Sequence, residues 1–364
     1  MSSKLNFRNL DKGLFAAPIL IFLIGVFSVY SASFKSRELL VHTLVVKQIL
    51  WMGIGILLVF LILRVNTFRL RDWAWPLYFV SVFLLVAVLF TPPRLGARRW
   101  IDLGGFNFQP SELAKLSVIL VLAHLFSHKR VESLSKRDRL MPFIIVGVPF
   151  LLILKEPDLG TAVILVPIFL AMLYGWGFRA RALLIFLAIG VLASPLLFFF
   201  LKDYQRTRLL VFMNPNLDPL GAGYTIIQSK IAIGSGGLLG RGFMGGTQTH
   251  LQFLPEKHTD FIFSVVAEEG GLAACLALLF LFGVIVKKGY ALCGQTPDRF
   301  GSGLACGITT MIGFQAFINI GMTMGLLPVV GVPLPLVSYG GTSVITTMLA
   351  IGLLLNIHLH KPLF

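Results

Sequence analysis

Apolar residues in this sequence come in runs that a water-soluble fold has no means of burying. They fall at approximately 14–33, 44–63, 74–91, 111–126, 141–155, 159–178, 182–201, 261–286, 302–325 and 336–357. Most approach the ~20 residues that carry a helix across a bilayer. In hydrocarbon every backbone N–H and C=O must find its partner inside the protein, and a helix supplies those partners along its own length. The expected fold is therefore all-α and polytopic, with about ten membrane spans in one membrane domain over residues 1–364. Charged residues make up only 13% of the chain, about half the ~25% that coats a soluble domain.

The basic residues lie between these runs. With the N-terminus in the cytoplasm, Lys4, Arg8, Lys12, Arg64, Arg69, Arg71, Lys129, Arg130, Lys136, Arg137, Arg139, Arg179, Arg181, Lys287, Lys288, Arg299 and Lys361 fall inside. The short outer loops hold far fewer, namely Lys35, Arg37, Arg94, Arg98, Arg99 and Lys155. This bias predicts both termini cytoplasmic in a multi-pass protein. The net charge of +15 is thus topological, and without a basic stripe or tail it does not point to nucleic acid. Ser31-Ala32-Ser33 imitates a signal-peptide cleavage site, but the preceding run is longer than a signal core and further spans follow, so an uncleaved first span is expected. Cys275, Cys293 and Cys306 show no paired spacing and read as small buried hydrophobes.

One connection breaks the pattern of short loops. Lys202 to Thr259, between the seventh and eighth spans, is far longer than the ~12–15 residues beyond which loops are functional or disordered. Its Ile and Leu content predicts an ordered outer lobe, with a re-entrant or interfacial helix around 224–233. Its Gly-rich stretch GSGGLLGRG offers backbone N–H groups to an anion, although no P-loop pattern follows. Arg206, Arg208, Lys230, Arg241, Lys257 and His258 face few acids in this loop. That excess suits a lipid phosphate or diphosphate, or equally a solvated face against lipid headgroups.

The loop closes on EKHTDFIFSVVAEEGG, where Asp260 opens an apolar helix. Asp260 reads in two ways, as an N-cap satisfying free backbone N–H groups or as a general base for a hydroxyl substrate. Glu112 and Lys115 stand three apart in QPSELAK, just inside the fourth span, either neutralising each other or lining a substrate cavity. Pro110 and Ser111 mark the start of that span. Asp158, after Pro157, reads as a cap on the sixth span, with cavity lining as the lesser reading. The glycines after Glu268-Glu269 predict a break or tilt. The apolar but Pro- and Gly-interrupted segment 325–343 is either a kinked packing segment or a cavity wall, with Asn319, Ser338 and Tyr339 as polar contacts. The seven His are scattered, so no protein metal site is expected.

RWIDLGGFNFQPSELAK, EPDLGTA, the block from DYQRTRLL to GSGGLLGRG, LPEKHTDFIFSVVAEEGG and LPVVGVP with LVSYGG together resemble the SEDS family (shape, elongation, division and sporulation). The block DYQR…DPLGAGYTIIQSKIAIGSGG is more similar to its elongation members than to its division members. Leu334-Pro335 departs as a two-residue insertion in a segment that in the family runs VGVPLVSYGG. The resemblance implies a peptidoglycan glycosyltransferase that joins lipid II units on the outer face of the bacterial cytoplasmic membrane, with inversion. It implies undecaprenyl-linked glycan as substrate, a class B penicillin-binding protein transpeptidase and the elongation machinery as partners, Asp260 as catalytic residue, and Glu112 and Lys115 in a central cavity. It allows a divalent cation (Mg or Mn) on the diphosphate and calls for no organic cofactor. A lipid-linked precursor flippase and a non-catalytic scaffold are the alternatives that ten spans, broken helices and charges at depth leave open.

Overall fold

The computed structural model describes residues 10–34, 38–93, 97–128, 136–198, 203–219, 221–251 and 253–360. Of the charges used to orient the chain, Lys4, Arg8, Lys35, Arg37, Arg94, Lys129, Arg130 and Lys361 lie outside the described residues, as does the end of the expected seventh span.

Helices α1 (Lys12–Ser33), α2 (Glu38–Leu63), α3 (Thr67–Asp72) and α4 (Ala74–Val88) form the first quarter. A two-stranded hairpin follows, β1 (Ile101–Asp102) pairing antiparallel with β2 (Asn107–Phe108). Then come α5 (Pro110–His128), α6 (Lys136–Lys155), α7 (Leu159–Trp176) and α8 (Ala180–Phe198). The long connection holds α9 (Asp203–Met213), α10 (Ala222–Ser235) and the single turn α11 (Thr247–His250). The chain closes with α12 (Ile262–Gln295), α13 (Arg299–Thr323) and α14 (Gly341–His360). Among the described residues, eight helices are long and apolar enough to cross a membrane. The remaining expected spans correspond to α6, whose first turn is charged, and α8.

Local chemistry sets the boundaries. Asp11 caps α1, its Oδ1 accepting from the Gly13 and Leu14 amides at 2.8 and 3.0 Å. Pro110 begins α5, where its missing N–H costs nothing. Asp158 caps α7, accepting from the Thr161 amide, and Gly177 ends that helix in the left-handed region. The hairpin was not expected from the sequence. Its DLGG corner places Gly104 and Gly105 at φ 70° and 104°, with the Asp102 carboxylate accepting from the Gly104 amide at 3.1 Å.

Two kinds of helix face can be told apart. Helices α5, α13 and α14 are buried nearly all round and form the centre. The outer helices present large apolar side chains outward, Phe79, Phe83 and Phe90 from the α4 region and Ile189 and Leu192 from α8. An apolar rim around an apolar core is the arrangement a lipid solvent demands.

The expected break after Glu268-Glu269 is present: Gly271 sits at φ 62° and ψ −163° inside α12. The glycine-rich stretch fills that break with its own main chain. The Arg241 and Gly242 amides donate to the Glu268 and Glu269 carbonyls at 3.0 Å each, and the Leu272 and Ala273 amides donate back to Gly237 and Leu238 at 2.9 and 3.1 Å. A Cβ on Gly236 or Gly240 would strike the Ala267 or Glu269 carbonyl. These glycines therefore serve backbone-to-backbone contact, not the anion cradle their composition suggested. Glu268 and Glu269 are structural as well. Glu268 accepts from the Gln248 and Thr249 amides at the start of α11, and Glu269 accepts from the Ser31 hydroxyl of α1.

Candidate active site

The turn Pro255–Phe261 is fastened from below by groups that lie far along the chain. Asn319 Nδ2, on α13, donates to the Asp260 carbonyl at 2.9 Å and to the Val332 carbonyl at 2.7 Å. Ser338 Oγ donates to the Thr259 carbonyl at 2.6 Å while accepting from the Leu334 amide at 2.8 Å. The Tyr339 amide donates to the His258 carbonyl at 2.9 Å. The broken segment before α14 is thus a cradle for this turn, and Gly331, Pro333, Tyr339 and Gly340 also line a cavity. The cavity-wall reading of that segment is the one the structure bears out. Leu334 and Pro335 lie within the cradle, where the Val337 and Ser338 amides both donate to the Leu334 carbonyl.

With its main chain held in this way, the Asp260 side chain is free to point elsewhere. The cap position before α12 is Phe261, with no side-chain cap, so the N-cap reading of Asp260 is not realised. Its carboxylate lines a cavity of about 760 Å³ together with Lys47, Arg99, Arg208 and Glu256. A further recess of about 140 Å³ shares Arg208, Glu256 and Asp260 with it. Trp51, whose ring centroid is 5.2 Å from that of Tyr339 and 6.0 Å from that of Phe106, makes an aromatic wall.

Burial first, and the nearby Glu256 second, push the Asp260 carboxyl up to about 6, while Arg208 and Arg99 pull it down. A carboxylate of that kind is still ionised at neutral pH and is a stronger base than a solvated aspartate. Arg99 is oriented by the turn between α6 and α7. Its Nη2 donates to the Pro157 carbonyl, and its Nη1 lies 3.8 Å from Asp158 Oδ1. Asp158, the cap of α7, also accepts from Gln109 Nε2 at 3.1 Å and Thr161 Oγ1 at 2.8 Å. Beside it Glu156 is fully buried with neither oxygen hydrogen-bonded. Burial, reinforced by Asp158, raises that carboxyl to about 9, so it is neutral at physiological pH.

Of the residues expected in the site, the structure brings Asp260 and Arg208 to the cavity. Glu112 and Lys115 form a buried ion pair of 2.6 Å, with Thr346 Oγ1 donating to the second Glu112 oxygen at 3.1 Å. They sit one helical turn beyond the lining residues Gln109 and Thr342 and close on each other. The other basic residues of the loop are not among those lining the cavity. Lys257 is buried and donates to the Thr249 carbonyl at 2.6 Å. Arg241 donates to the Ser235 carbonyl and to Thr247 Oγ1. Lys230 is exposed on α10 and Arg206 half-buried on α9. His258 packs its ring edge-on to Tyr339 with centroids 6.1 Å apart, and burial lowers its pKa, so it adds no positive charge at neutral pH. Charge was legible in that loop; direction was not. Conversely Lys47 and Trp51 come from one helix, α2, and Arg99 from the loop before β1. Lys47 is a lone charge in an apolar run, a signal missed in the sequence, whereas Arg99 and Trp51 carry no local mark.

Residues 12–362 match the FTSW_RODA_SPOVE family, described as cell cycle protein. The chain is similar to the peptidoglycan glycosyltransferase MrdB of Escherichia coli K12, 46% identical over 299 residues covering 80% of each chain. It is 38% identical to the stage V sporulation protein E of Bacillus subtilis, over 93% of this chain and 94% of that one. Its fold matches a structure described as the structural coordination of polymerization and crosslinking by a peptidoglycan synthase complex, with a TM-score of 0.81, 36% identity and coverage of 96% and 97%. It also matches the crystal structure of the rod shape determining protein RodA of Thermus thermophilus, with a TM-score of 0.74, 31% identity and coverage of 98% and 99%.

Proposed function

We infer, for a chain that belongs to the FtsW/RodA/SpoVE family of cell cycle proteins, a peptidoglycan glycosyltransferase built as a multi-pass membrane protein. The observation that carries the catalytic assignment is the position of Asp260. It is a desolvated carboxylate with a pKa of about 6, standing where a large cavity and a smaller recess meet. A transferase needs two substrates to meet at one base, and these two spaces share it.

In this reading the Asp260 carboxylate takes the proton from the 4-hydroxyl of the acceptor sugar. That oxygen attacks the anomeric carbon of the lipid II donor from the face opposite its diphosphate. The new C–O bond forms as the bond to the diphosphate breaks, inverting the centre, and the lipid diphosphate leaves with the electron pair. Lys47, Arg99 and Arg208 supply fixed positive charge for the departing anion. Among the described residues no three His, Cys, Asp or Glu side chains gather as a metal site. A magnesium or manganese ion on the diphosphate would have Glu256 and Asp260 as the carboxylates of the cavity, with its other ligands from the substrate and water.

The site faces the outside of the cytoplasmic membrane, both termini lie in the cytoplasm, and a penicillin-binding protein transpeptidase is the partner. The positive bias of the opposite loops supports the first two. The likeness to a peptidoglycan synthase complex supports the third. A flippase would need displaceable charge at mid-depth, whereas Glu112 and Lys115 are closed on each other and on Thr346.

The test is polymerisation of purified lipid II by wild type and Asp260→Asn, each with and without the transpeptidase. The asparagine preserves shape and the main-chain bonds from Asn319 but cannot act as a base. A loss of on the order of 10²–10⁴ in rate with an unchanged fold is expected. Normal polymerisation by Asp260→Asn would move the base elsewhere, and no polymer from wild type with its partner would restore the flippase.

A further inference from the structure

At the end of the bundle opposite Asp260 lies a second large cavity, of about 820 Å³. Its walls come from the last turns of α5, α7 and α12 and the first turns of α6, α8 and α13. Three guanidinium groups stand around it, Arg139, Arg179 and Arg299. All three residues are exposed, and among the described residues none of their guanidinium groups has a hydrogen-bond or ion-pair partner. No Asp or Glu is among the lining residues. Aromatic rings form the adjoining surface. Phe126 stacks on Trp176 with centroids 4.0 Å apart, and Trp176 meets Phe178 at 5.7 Å. Nothing in the glycosyl-transfer chemistry reaches this place.

Topology accounts for basic residues at this face but not for their convergence. Loop charges that merely orient a chain do so wherever they lie and as lysine or arginine alike. Here every cation on the cavity wall is arginine, and three like charges around one space repel until an anion joins them. The planar guanidinium fork matches a phosphate in a way that an ammonium does not. Basic pockets between membrane helices are suited to lipid headgroups, and the aromatic floor would lie against the acyl chains below such a headgroup.

We propose that this cavity binds the phosphate headgroup of an anionic membrane lipid, with Arg139, Arg179 and Arg299 around the phosphate and Trp176, backed by the buried Phe126, and Phe178 against its apolar part. The site is separate from the Asp260 cavity and does not depend on the reaction assigned there.

Cys293, half-buried on the same wall, provides a reporter. In a Cys275→Ala, Cys306→Ala background, alkylation of Cys293 by a maleimide is followed in nanodiscs of phosphatidylcholine alone or with added phosphatidylglycerol. Phosphatidylglycerol is expected to slow the labelling severalfold, and Arg179→Gln with Arg299→Gln to abolish that protection. Native mass spectrometry of the unmodified protein gives an independent measure that needs no variant, with phosphatidylglycerol retained in preference to phosphatidylcholine. Equal protection by both lipids, or protection that survives loss of the arginines, would overturn the proposal. Protection by inorganic phosphate in phosphatidylcholine alone would overturn the lipid assignment in favour of a soluble phosphate ligand.

Discussion

Burial does most to raise the Asp260 carboxyl, and neighbours of opposite sign then adjust it. Arg208 holds the carboxyl down and Glu256 pushes it up. Arg208→Gln should therefore shift the acid limb of the pH–rate profile above 6, with activity at neutral pH falling and recovering in part as pH rises. Glu256→Gln should shift the same limb to lower pH. Opposite shifts from two substitutions in one cavity, read in a lipid II polymerisation assay, would not arise from general loss of fold. Glu156 offers a separate prediction. Its carboxyl is raised from 4.5 to about 9 in the folded chain, so the folded state binds the proton more tightly and stability falls as pH rises through that interval. Glu156→Gln removes the titration. Its melting midpoint should exceed that of wild type by on the order of 5 °C at pH 8 and converge with it toward pH 5. Asp260 was legible because it is the acid that ends a long basic loop just before an apolar run. Arg99 was not, since its neighbours in the chain give it the look of an ordinary loop charge and only the Pro157 carbonyl and Asp158 turn it toward the cavity.

Among the elements, α12 depends most on a single residue. Gly271 adopts a backbone conformation that L-residues avoid, and a Cβ there would meet the Gly240 amide and the Leu238 carbonyl. Backbone does not yield, so Gly271→Ala should cost more than ~2 kcal/mol and reduce the yield of folded protein. Gly53→Ala on α2, where nothing lies within 4 Å of the added carbon, should be neutral or slightly stabilising. Thermal shift and size-exclusion profiles of the two variants make the comparison. The helices themselves were readable from the apolar runs because a bilayer selects for length and hydropathy together. The β1–β2 hairpin escaped notice because two-residue strands carry no periodicity. The role of GSGGLLGRG was misjudged for a related reason: glycine signals close approach of the backbone without saying to what.

Over the whole molecule, among the described residues, the central helices α5, α13 and α14 bury their charge as one ion pair. Glu112 and Lys115 are 3% and 1% exposed, and removing one partner leaves the other as an isolated charge in an apolar core. Lys115→Met or Glu112→Gln alone should destabilise by about 3–5 kcal/mol, whereas the double substitution should recover most of that loss. If the double variant also polymerises lipid II, the pair is a structural element of the core; if it folds but does not polymerise, the pair acts on the substrate. The fastening of the Asp260 turn has a temporal consequence. Its main-chain partners, Asn319, Ser338 and Tyr339, leave the ribosome some 60–80 residues after the turn itself. A nascent chain that has inserted most of its spans thus still lacks an ordered base. The turn that carries the base gains its fastenings only when α13 and the segment before α14 have been made.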